Sequence, residues 1–438
     1  MSNHAAAAAP LTLEAVEKRT GVRWKIFLAI LFLMAVNYID RASLSVAMPL
    51  IAKEFDLSPS AQGLLLSSFF WTYALMQIPG GMLADRFKPR AVIAASTILW
   101  GFFQAFAAGA GSFVSLLLTR LGLGASEAPL YPAGAKLNAM WMTSNERGRG
   151  ATLLDGGAPL GAALGSIVIA WLIVELGSWR LSFIVAGVGT IAAGIWCWYY
   201  IRNTPREHHG VNEAEAEYIE TAHRADDANS EPSKGSHALN FFRHRSIWAM
   251  CLGWMGFGVM FTGFIAWLPS YLQASYGFNI KTMGGASFLI YMAGFVGELV
   301  AGWIADRWKA LGGQANTVFR TMFGIAALIA TLSIFAVAYV ADPVVAVILL
   351  CTALFFLRWF GLFWSLPAIL GGRERAGFVG GTMNLSGQIS GISVPIIIGV
   401  IVQASGGSYF GALMFMAGAG VAMFVAAMLI DYTKKIPV

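Results

Sequence analysis

Charged residues are scarce in this sequence. Only 12% of its 438 residues are Asp, Glu, Lys or Arg, whereas 57% are hydrophobic. An average soluble domain carries about 25% charged residues, so the composition excludes an ordinary soluble globular protein. Charged side chains are costly in lipid, and their scarcity is typical of a chain that lies mostly within a membrane.

Cysteine is scarce as well. The three cysteines, Cys197, Cys251 and Cys351, all fall in apolar runs, so the sequence predicts no disulfide framework. The histidines between residues 208 and 237 do not form a credible set of metal ligands, and we expect neither a metal nor another cofactor. No nucleophile, base and orienting group stand at a spacing typical of enzymes, so we do not expect an enzyme.

The pattern of a secretory signal peptide is also missing. Residues 1–23 are polar or rich in alanine. They contain no apolar core followed by a cleavage site made of small residues, which is the pattern that marks such a peptide. We therefore expect the first apolar segment to remain in the mature protein as a helix.

Apolar runs of bilayer-spanning length are what the sequence has in abundance. We place them near 25–50, 60–83, 91–111, 113–139, 150–175, 181–201, 247–274, 283–305, 318–341, 344–370, 377–402 and 409–431. The charged stretch after the sixth run indicates a solvated linker with one short surface helix over 212–224. The sequence therefore predicts an all-α membrane protein whose 12 transmembrane helices form two six-helix bundles.

Two parts of the chain resemble each other, which indicates that the bundles are repeats of one unit. "GGMLADRFKPR" at 80–90 matches "AGWIADRWKA" at 301–310, and Pro49 and Pro269 are separated by almost the same number of residues. We therefore expect pseudo-two-fold symmetry. The predicted divisions are a tail at 1–23, a bundle at 24–202, a linker at 203–245, a bundle at 246–433 and a tail at 434–438.

Lysine and arginine are distributed unevenly between the two sides of the predicted bundles. Outside the spans, nearly all of them lie in the termini, the linker and the loops on the linker's side, and the opposite side holds only Lys53, Arg180 and Lys281. This asymmetry predicts a multi-pass protein of the cell inner (plasma) membrane, with both termini and the linker in the cytoplasm. It also accounts for the net charge of +6, so we do not expect nucleic acid as a partner.

The quoted motifs resemble those of a known family. "GGMLADRFKPR" and its echo "AGWIADR" are similar to the loop signature of the major facilitator superfamily, and the resemblance covers residues 24–433. "NYIDRASLSVAMP", "TRLGLGASEAPLYPAG" and "WLPSYL" resemble its anion:cation symporter branch, which includes galactonate, hexuronate and glucarate permeases. The resemblance implies a proton-coupled symporter that imports a small organic anion, such as an aldonate, aldarate or hexuronate, by alternating access.

A few charges lie at membrane depth, and such groups usually mark function. Asp40 and Arg41 are consecutive on the first span and point about 100° apart, so each needs a partner from another helix or from a ligand. Arg120 and Glu127 share a face of the fourth span, roughly 10 Å apart, and the two prolines that closely follow Glu127 can loosen that span. The resemblance implies that the first and fourth spans line a central cavity, where these four groups would converge.

Chemistry divides the roles among these four residues. A carboxyl group in a low-dielectric site can change its protonation as its surroundings change, whereas Arg stays cationic and holds a carboxylate through two hydrogen bonds. We therefore expect Arg41 to anchor the anion, Asp40 and Glu127 to carry protons, and Arg120 to pair with or tune these acids. Protons are the expected coupling ion. The resemblance implies the same roles.

Further binding residues are expected on other spans. The resemblance implies hydroxyl donors at Tyr38 and Tyr73, and it implies an amide at Asn384 on the eleventh span. Trp254 and Phe257 on the seventh span are candidates for an aromatic part of the cavity wall. The alternative for these aromatic rings is ordinary packing in the core or against lipid.

The fifth and tenth spans depart from the family pattern, in which polar side chains are common. The fifth carries Asp155, and the tenth carries Arg358 with Phe360, Phe363 and Trp364. Two interpretations stay open. Arg358 could hold a second carboxylate, which favours a dicarboxylate such as an aldarate. Alternatively, Arg358 neutralises Asp155, and the aromatic wall receives an aromatic acid.

Small residues recur at helical spacing on the fifth span. Gly157, Gly161 and Gly165 stand four residues apart, so they form a stripe on one face of a helix. Such a stripe predicts close packing against another helix. It does not predict a phosphate-binding loop, because no strand precedes it.

The charges at the loop ends of the repeated motif are expected to form a gate. Asp85, Arg86, Asp306 and Arg307 lie at the cytoplasmic ends of their spans, and we expect them to lock the inner side when it is closed. Glu298 lies two turns before Asp306, so we expect it to belong to the same gate network.

Other functions remain as alternatives. The deep charges could form a static network that only holds the first and fourth spans together. The protein could also export amphipathic compounds, in which case carboxylate recognition by Arg41 is not needed. A membrane receptor that signals through the linker is a further alternative, although the linker contains no recognisable signalling domain. We expect a monomer whose partners are the organic anion and membrane lipid.

Overall fold

Long helices make up two halves of the molecule, and one further helix lies in the linker between them. The computed structural model describes residues 18–143, 146–228 and 242–433. The helices in these ranges are α1 (Val22–Glu54), α2 (Pro59–Phe87), α3 (Pro89–Phe106), α4 (Phe113–Glu127), α5 (Leu130–Trp141), α6 (Arg147–Leu176), α7 (Trp179–Tyr200), α8 (Glu213–Ala228), α9 (Arg245–Tyr276), α10 (Ile280–Ala310), α11 (Ala315–Val337), α12 (Pro343–Leu357), α13 (Leu366–Ala404) and α14 (Phe410–Leu429). A 3-10 segment, Arg358–Ser365, joins α12 to α13.

The prediction of twelve spans in two six-helix bundles is confirmed. Within the described ranges, ten helical stretches are long and apolar enough to cross a membrane. The stretch Pro343–Gly371 contains the tenth predicted span and ends within the start of α13. The rest of α13, Val379–Ala404, is the eleventh span. The two remaining predicted spans are occupied by α2 and by the α4–α5 pair.

Short polar residues start several helices at the end of the molecule remote from the linker. The side chains of Ser58, Ser112, Ser178, Asn279 and Asp342 each accept a hydrogen bond from a backbone N–H in the first turn of the following helix. Such caps satisfy amides that have no partner inside the helix. Local chemistry therefore fixes where these helices begin. We call this end of the molecule the far end, and the opposite end the linker end.

The fourth span is divided, as its prolines predicted. α4 ends at Glu127 and α5 begins at Leu130. Because Pro129 and Pro132 lack an amide hydrogen, the backbone cannot continue its regular ladder through them. The break places Glu127 at the last residue of α4, in the middle of the span rather than at a loop.

The two halves pack on each other in pairs that are equivalent under the predicted repeat. α6 of the first half contacts α10 of the second, and α13 of the second half contacts α2 of the first. α1 contacts α9, which is its own counterpart. This pairing is what a pseudo-two-fold axis between two six-helix units requires.

Close packing of α6 against α1 follows from the glycine stripe. A Cβ atom at Gly157 would lie 2.4 Å from Met34 Cβ, and one at Gly161 would lie 2.3 Å from the carbonyl oxygen of Ala35. Any larger side chain would push the two helices apart. The predicted role of this stripe in helix packing is confirmed.

The halves meet closely at the far end. A Cβ atom at Gly63 would approach the carbonyl oxygen of Pro395 to 2.4 Å, and one at Gly399 would approach that of Pro59 to 2.6 Å. The Ser67 hydroxyl donates to the carbonyl of Ile392 at 2.6 Å. These contacts join α2 to α13 and close the far end in this conformation.

The linker helix is less solvated than its composition predicted. A helix does form over the predicted segment, as α8. One of its faces is buried, with Glu215, Ala216 and Ile219 almost inaccessible to solvent. The first 17 residues of the predicted 1–23 tail, residues 229–241 of the predicted linker and the predicted tail at 434–438 lie outside the described residues.

Candidate functional site

A central cavity lies between the halves at mid-depth. Its volume is about 170 Å³. The spans that line it come from both halves. All eight residues predicted to bind substrate lie in its wall, namely Tyr38, Arg41, Tyr73, Arg120, Asp155, Arg358, Trp364 and Asn384.

Arg41 is held in the cavity wall by a carboxylate and by aromatic rings. Its Nε donates to Glu127 Oε2 at 2.8 Å. The guanidinium carbon lies 4.6 to 4.7 Å from the centres of the rings of Tyr38, Phe69 and Tyr73. Cation–π contacts of this kind hold a guanidinium in place while its remaining N–H groups stay free to donate. The expectation that Arg41 needs a partner from another helix is confirmed.

Asp40 lies behind the cavity wall rather than in it, which corrects the expectation that all four deep charges converge in the cavity. Its side chain is 1% exposed. Oδ2 accepts hydrogen bonds from Trp100 Nε1 at 3.0 Å and from Thr190 Oγ1 at 2.7 Å. The cause is the turn of about 100° between consecutive helical residues, which points Asp40 toward α3 and α7 when Arg41 points into the cavity.

Glu127 and Arg120 connect the cavity wall around Arg41 with the buried surroundings of Asp40. Glu127 is also 1% exposed, and it contacts the cavity through Arg41. Arg120 lies in the cavity wall and within electrostatic range of both Glu127 and Asp40. Among the described residues, no hydrogen-bond partner reaches Arg120 Nε or Glu127 Oε1. The cluster therefore contains buried polar atoms that a proton, water or ligand could satisfy.

The structure pairs Arg358 with an acid that the sequence did not predict as its partner. Its Nη2 donates to Glu298 Oε2 at 2.5 Å, in a partly buried ion pair. Asp155 accepts a hydrogen bond from Tyr131 Oη at 3.1 Å instead. Arg358 is therefore not the direct ion-pair partner of Asp155. Glu298 does not join the charges at the loop ends, which corrects its expected place in the gate network.

Aromatic rings cover much of the second half's side of the cavity. Trp254, Phe257 and Trp364 lie in the wall, and Phe261 extends it. Trp254 stacks on Phe257 with ring centroids 4.8 Å apart and meets Trp364 edge-on at 5.5 Å. Phe360 and Phe363 do not belong to the wall. They are fully buried in the core of the second half, where they pack on Phe323.

Sequence reasoning missed some residues of the wall. Gln388 lies one helical turn after Asn384 on the same face of α13, and this spacing could have identified it. Tyr131 holds Asp155, but only the break between α4 and α5 turns it toward the cavity. Phe69 and Phe70 on α2 carry no sequence signal that separates them from lipid-facing phenylalanines.

Comparison with known proteins identifies the family. A family model described as the Major Facilitator Superfamily matches residues 30–395. The chain belongs to this superfamily. The motif-based resemblance and the twelve-helix fold that it implied are therefore confirmed.

Relatives within the superfamily are transporters of acids by name. The chain is 30% identical over 426 residues to a Bacillus subtilis protein named "Probable galactarate/D-glucarate transporter", covering 94% of this chain and 92% of the relative. It is 32% identical over 380 residues to the Escherichia coli "Probable L-galactonate transporter", covering 86% and 83%. It is 31% identical over 397 residues to the Cupriavidus necator "Probable sulfoacetate transporter", covering 89% and 90%.

Solved structures of superfamily members share the fold. A bacterial homolog of the human lysosomal transporter Spinster, in an inward-facing and occupied conformation, has a TM-score of 0.72. The match covers 93% of this chain and 96% of that chain at 19% sequence identity. Together with the family and the relatives, it makes this protein a multi-pass membrane transporter.

The superfamily's loop motif lies at the linker end of both halves. Arg86, Asp306 and Arg307 are exposed there, and Asp306 pairs with Lys309 on its own helix at 3.3 Å. The side chain of Asp85 lies outside the described part of the structure. The role of these four residues as a gate stays a prediction.

Proposed function

We propose that the protein imports a small organic anion, a sugar acid, together with protons. Arg41 carries this proposal, because a permanently cationic group lies in the wall of the central cavity and already holds a carboxylate. The guanidinium fork binds a carboxylate through parallel hydrogen bonds. Relatives named as galactarate, glucarate and galactonate transporters support a sugar acid as the substrate.

Glu127 couples the anion to a proton through Arg41. When Glu127 takes up a proton, it loses its ionic attraction to Arg41, and the guanidinium becomes free for the substrate carboxylate. When the substrate leaves, Arg41 attracts Glu127 again and promotes release of the proton. Asp40 is the second proton carrier, and its charge acts on Glu127 and Arg120 through their electrostatic interaction rather than by contact with the substrate.

The proposed orientation in the membrane determines the energetic cost of importing the anion. We place the protein in the cell inner membrane with the linker and both termini in the cytoplasm, so the far end faces outward. Moving a monoanion inward against the membrane potential costs about 2.3 kcal/mol per 100 mV. Uptake with more than one proton reverses this cost, and two deep acids permit such a ratio. The transporter acts as a monomer surrounded by lipid.

Reconstitution into liposomes with an internal pH dye tests the proposal. Under an imposed proton gradient, sugar acids should cause acidification that depends on the anion. Arg41→Ala should abolish uptake, since it removes the anchoring cation. Glu127→Gln should retain exchange of substrate across the membrane but lose proton-driven accumulation. Normal accumulation by Glu127→Gln would remove Glu127 from the coupling scheme, and the absence of acidification with every anion would contradict the proposal itself.

Aromatic carboxylates are a second candidate substrate class. The observation that favours them is the wall formed by Trp254, Phe257, Phe261 and Trp364, because flat apolar rings stack well on aromatic side chains. A polyol leaves hydroxyl groups unpaired against such a surface, which costs free energy. The same liposomes, supplied with benzoate-type acids instead of sugar acids, distinguish the two classes.

A further inference from the structure

The second half contains a partly buried ion pair that the proposed coupling scheme does not use. Arg358 is the first residue of the 3-10 segment after α12, and its side chain is 4% exposed. It pairs with Glu298, which comes from the middle of α10. Two charges buried together need a functional or structural reason, because an apolar pair of the same size is often as stable.

Arg358 faces the central cavity with unused donor capacity. Its side chain belongs to the cavity wall, and its guanidinium lies 5.0 Å from the ring of Phe261 and 5.7 Å from that of Phe257. Within the described part of the chain, its buried Nε has no hydrogen-bond partner. A buried donor without a partner is costly, and an anionic group in the cavity would supply the missing acceptor.

The two cavity arginines lie on opposite halves and share a neighbour. Arg41 belongs to α1 and Arg358 to the segment after α12. Tyr38 packs its ring on Arg41 and lies within electrostatic range of Arg358. Tyr38 and both arginines line the same cavity, so one ligand there has a guanidinium group from each half in the wall around it.

We propose that Arg358 binds a second acidic group of the substrate, so that the transported anion is a small dianion held between Arg41 and Arg358. This inference rests on the proposed function and names the substrate class. A dianion that touches one arginine in each half links the halves directly. Because the dianion attracts both halves, its binding favours closure of the linker end over the loaded cavity. A ligand that contacts only one half does not draw the halves together by its charge.

Glu298 balances the charge of the second acidic group. The Arg358–Glu298 pair is neutral as a unit, so a substrate group that takes over Arg358 leaves Glu298 as an uncompensated, partly buried anion. Uptake of one proton by Glu298 removes that charge, and the net charge of the site stays the same. Among the described residues, the charged groups that act electrostatically on Glu298 are Arg358 from the 3-10 segment and Asp155 from α6. Gly361 leaves room for the carboxyl group, since a Cβ atom there would lie 2.9 Å from Glu298 Oε1.

Galactarate and galactonate provide a matched pair of probes for this site. They differ only at one terminal carbon, which is a carboxylate in galactarate and a hydroxymethyl group in galactonate. In liposomes containing the wild-type protein, each galactarate should enter with one more proton than each galactonate. Equal proton counts for the two acids, or transport of galactonate without galactarate, would overturn the proposal.

The double variant Arg358→Gln with Glu298→Gln tests the assignment to these residues. It removes both charges together and so avoids leaving a buried charge unpaired. Its affinity for galactarate should fall at least about tenfold more than its affinity for galactonate, because only galactarate loses hydrogen bonds between its second acidic group and a charged partner. Equal losses for both acids would show a structural role and contradict the proposal.

The single variant Glu298→Gln separates binding from proton balance. It should still bind galactarate and should carry one proton fewer per galactarate than wild type, with the galactonate count unchanged. An unchanged galactarate count would exclude Glu298 as the balancing acid. Sulfoacetate serves as a shorter dianion. Loss of sulfoacetate binding in the double variant would show that the site also accepts sulfonates.

If the wild-type protein transports none of these anions, the proposed function fails. The contradicting outcomes given above concern only the role of Arg358 and Glu298.

Discussion

Asp40 and Arg41 are adjacent in sequence but lie in different environments. Arg41 lines the cavity, surrounded by Tyr38, Phe69 and Tyr73. Asp40 is buried on the other side of α1. A substitution at Asp40 therefore leaves the groups that line the cavity in place and changes only the charge behind them, so it tests the proposed proton coupling separately from substrate recognition.

Asp40→Asn is expected to uncouple transport without abolishing substrate binding. An amide at this position keeps an oxygen that can accept from Trp100 and Thr190, but it cannot carry a proton. Exchange of labelled substrate should remain near the wild-type rate, and accumulation driven by a proton gradient should be lost.

Thr190→Val is the matched control for Asp40→Asn. It removes one hydrogen bond to Asp40 and keeps the carboxyl group, so proton-driven accumulation should persist, although its pH dependence should shift. If Asp40→Asn accumulated substrate as well as wild type, Asp40 would not be a proton carrier.

At the scale of elements, the contact between α1 and α6 depends on glycine. Gly161→Ala places a methyl group 2.3 Å from the Ala35 carbonyl oxygen, so one helix must move. Such overpacking costs about 1–3 kcal/mol, and the melting temperature in detergent should fall by several degrees. Gly189→Ala on α7 is the control, since nothing lies within 4 Å of its added methyl group. Equal melting temperatures for the two variants would contradict a packing role for the stripe.

The linker helix is attached to the first half through Glu215. This carboxylate accepts hydrogen bonds from the Thr20 hydroxyl, from the backbone amides of Val22 and Arg23, and from Arg23 Nη1 at 2.8 Å. Arg23 also pairs with Glu146 at 3.0 Å. The arrangement ties α8, the start of α1 and the turn before α6 together at the linker end.

Glu215→Gln should destabilise the protein in a pH-dependent manner. Burial by itself raises the pKa of Glu215, but the hydrogen bonds from Thr20, Val22 and Arg23 outweigh it and hold the pKa below its ordinary value. A depressed pKa stabilises the folded state above the unfolded pKa of about 4.3, and the stabilisation disappears as the pH falls through the folded pKa. At pH 7 we expect a loss of about 1.5–3 kcal/mol.

Thermal unfolding over a pH series from 7 down to below the folded pKa of Glu215 measures this effect. The difference in melting temperature between Glu215→Gln and wild type should be clear at pH 7 and should vanish at the lowest pH. Glu217→Gln is the control, because Glu217 lies exposed on the same helix. A difference that does not change with pH would mean that the ionised form of Glu215 is not what stabilises α8.

At the scale of the whole molecule, the closed far end depends on contacts between the halves. Gly399→Val would drive a side chain into the carbonyl of Pro59 across the interface, where even a Cβ atom lies 2.6 Å away. The far end should then open more often. A change of about 1 kcal/mol in the free-energy difference between the closed and open far end alters their populations about fivefold, so uptake should fall by at least about that factor. Labelling of a cysteine placed at Ser45, in the cavity wall, should become faster from the far side.

Gly302→Val on α10 controls for the effect of a β-branched residue in a spanning helix, since nothing lies within 4 Å of a Cβ atom added at Gly302. It should transport normally and leave the labelling rate unchanged. Normal uptake and unchanged labelling in Gly399→Val would mean that the contact between Gly399 and Pro59 does not hold the far end closed.

The residues of the cavity wall could be predicted because two signals converge on them. Polar groups within apolar spans are rare, so Arg41, Arg120 and Arg358 stand out individually. The superfamily motifs then indicate which spans face the centre. Phe69 has neither signal, since it is one of 30 phenylalanines. Gln388 carries no charge, so only its spacing of one helical turn from Asn384 indicates that it faces the cavity.

The twelve spans, the repeat, the family and the residues that offer charge at membrane depth were all predictable without a structure, because hydrophobic length and chemical rarity are properties of the chain alone. Which acid pairs with which base could be seen only once the helices were packed together. Asp40 lies behind the wall, and Glu298 pairs with Arg358 rather than with the gate charges. The reason is that a partner on another helix is chosen by how each helix is rotated and where it is broken, and packing between helices sets both.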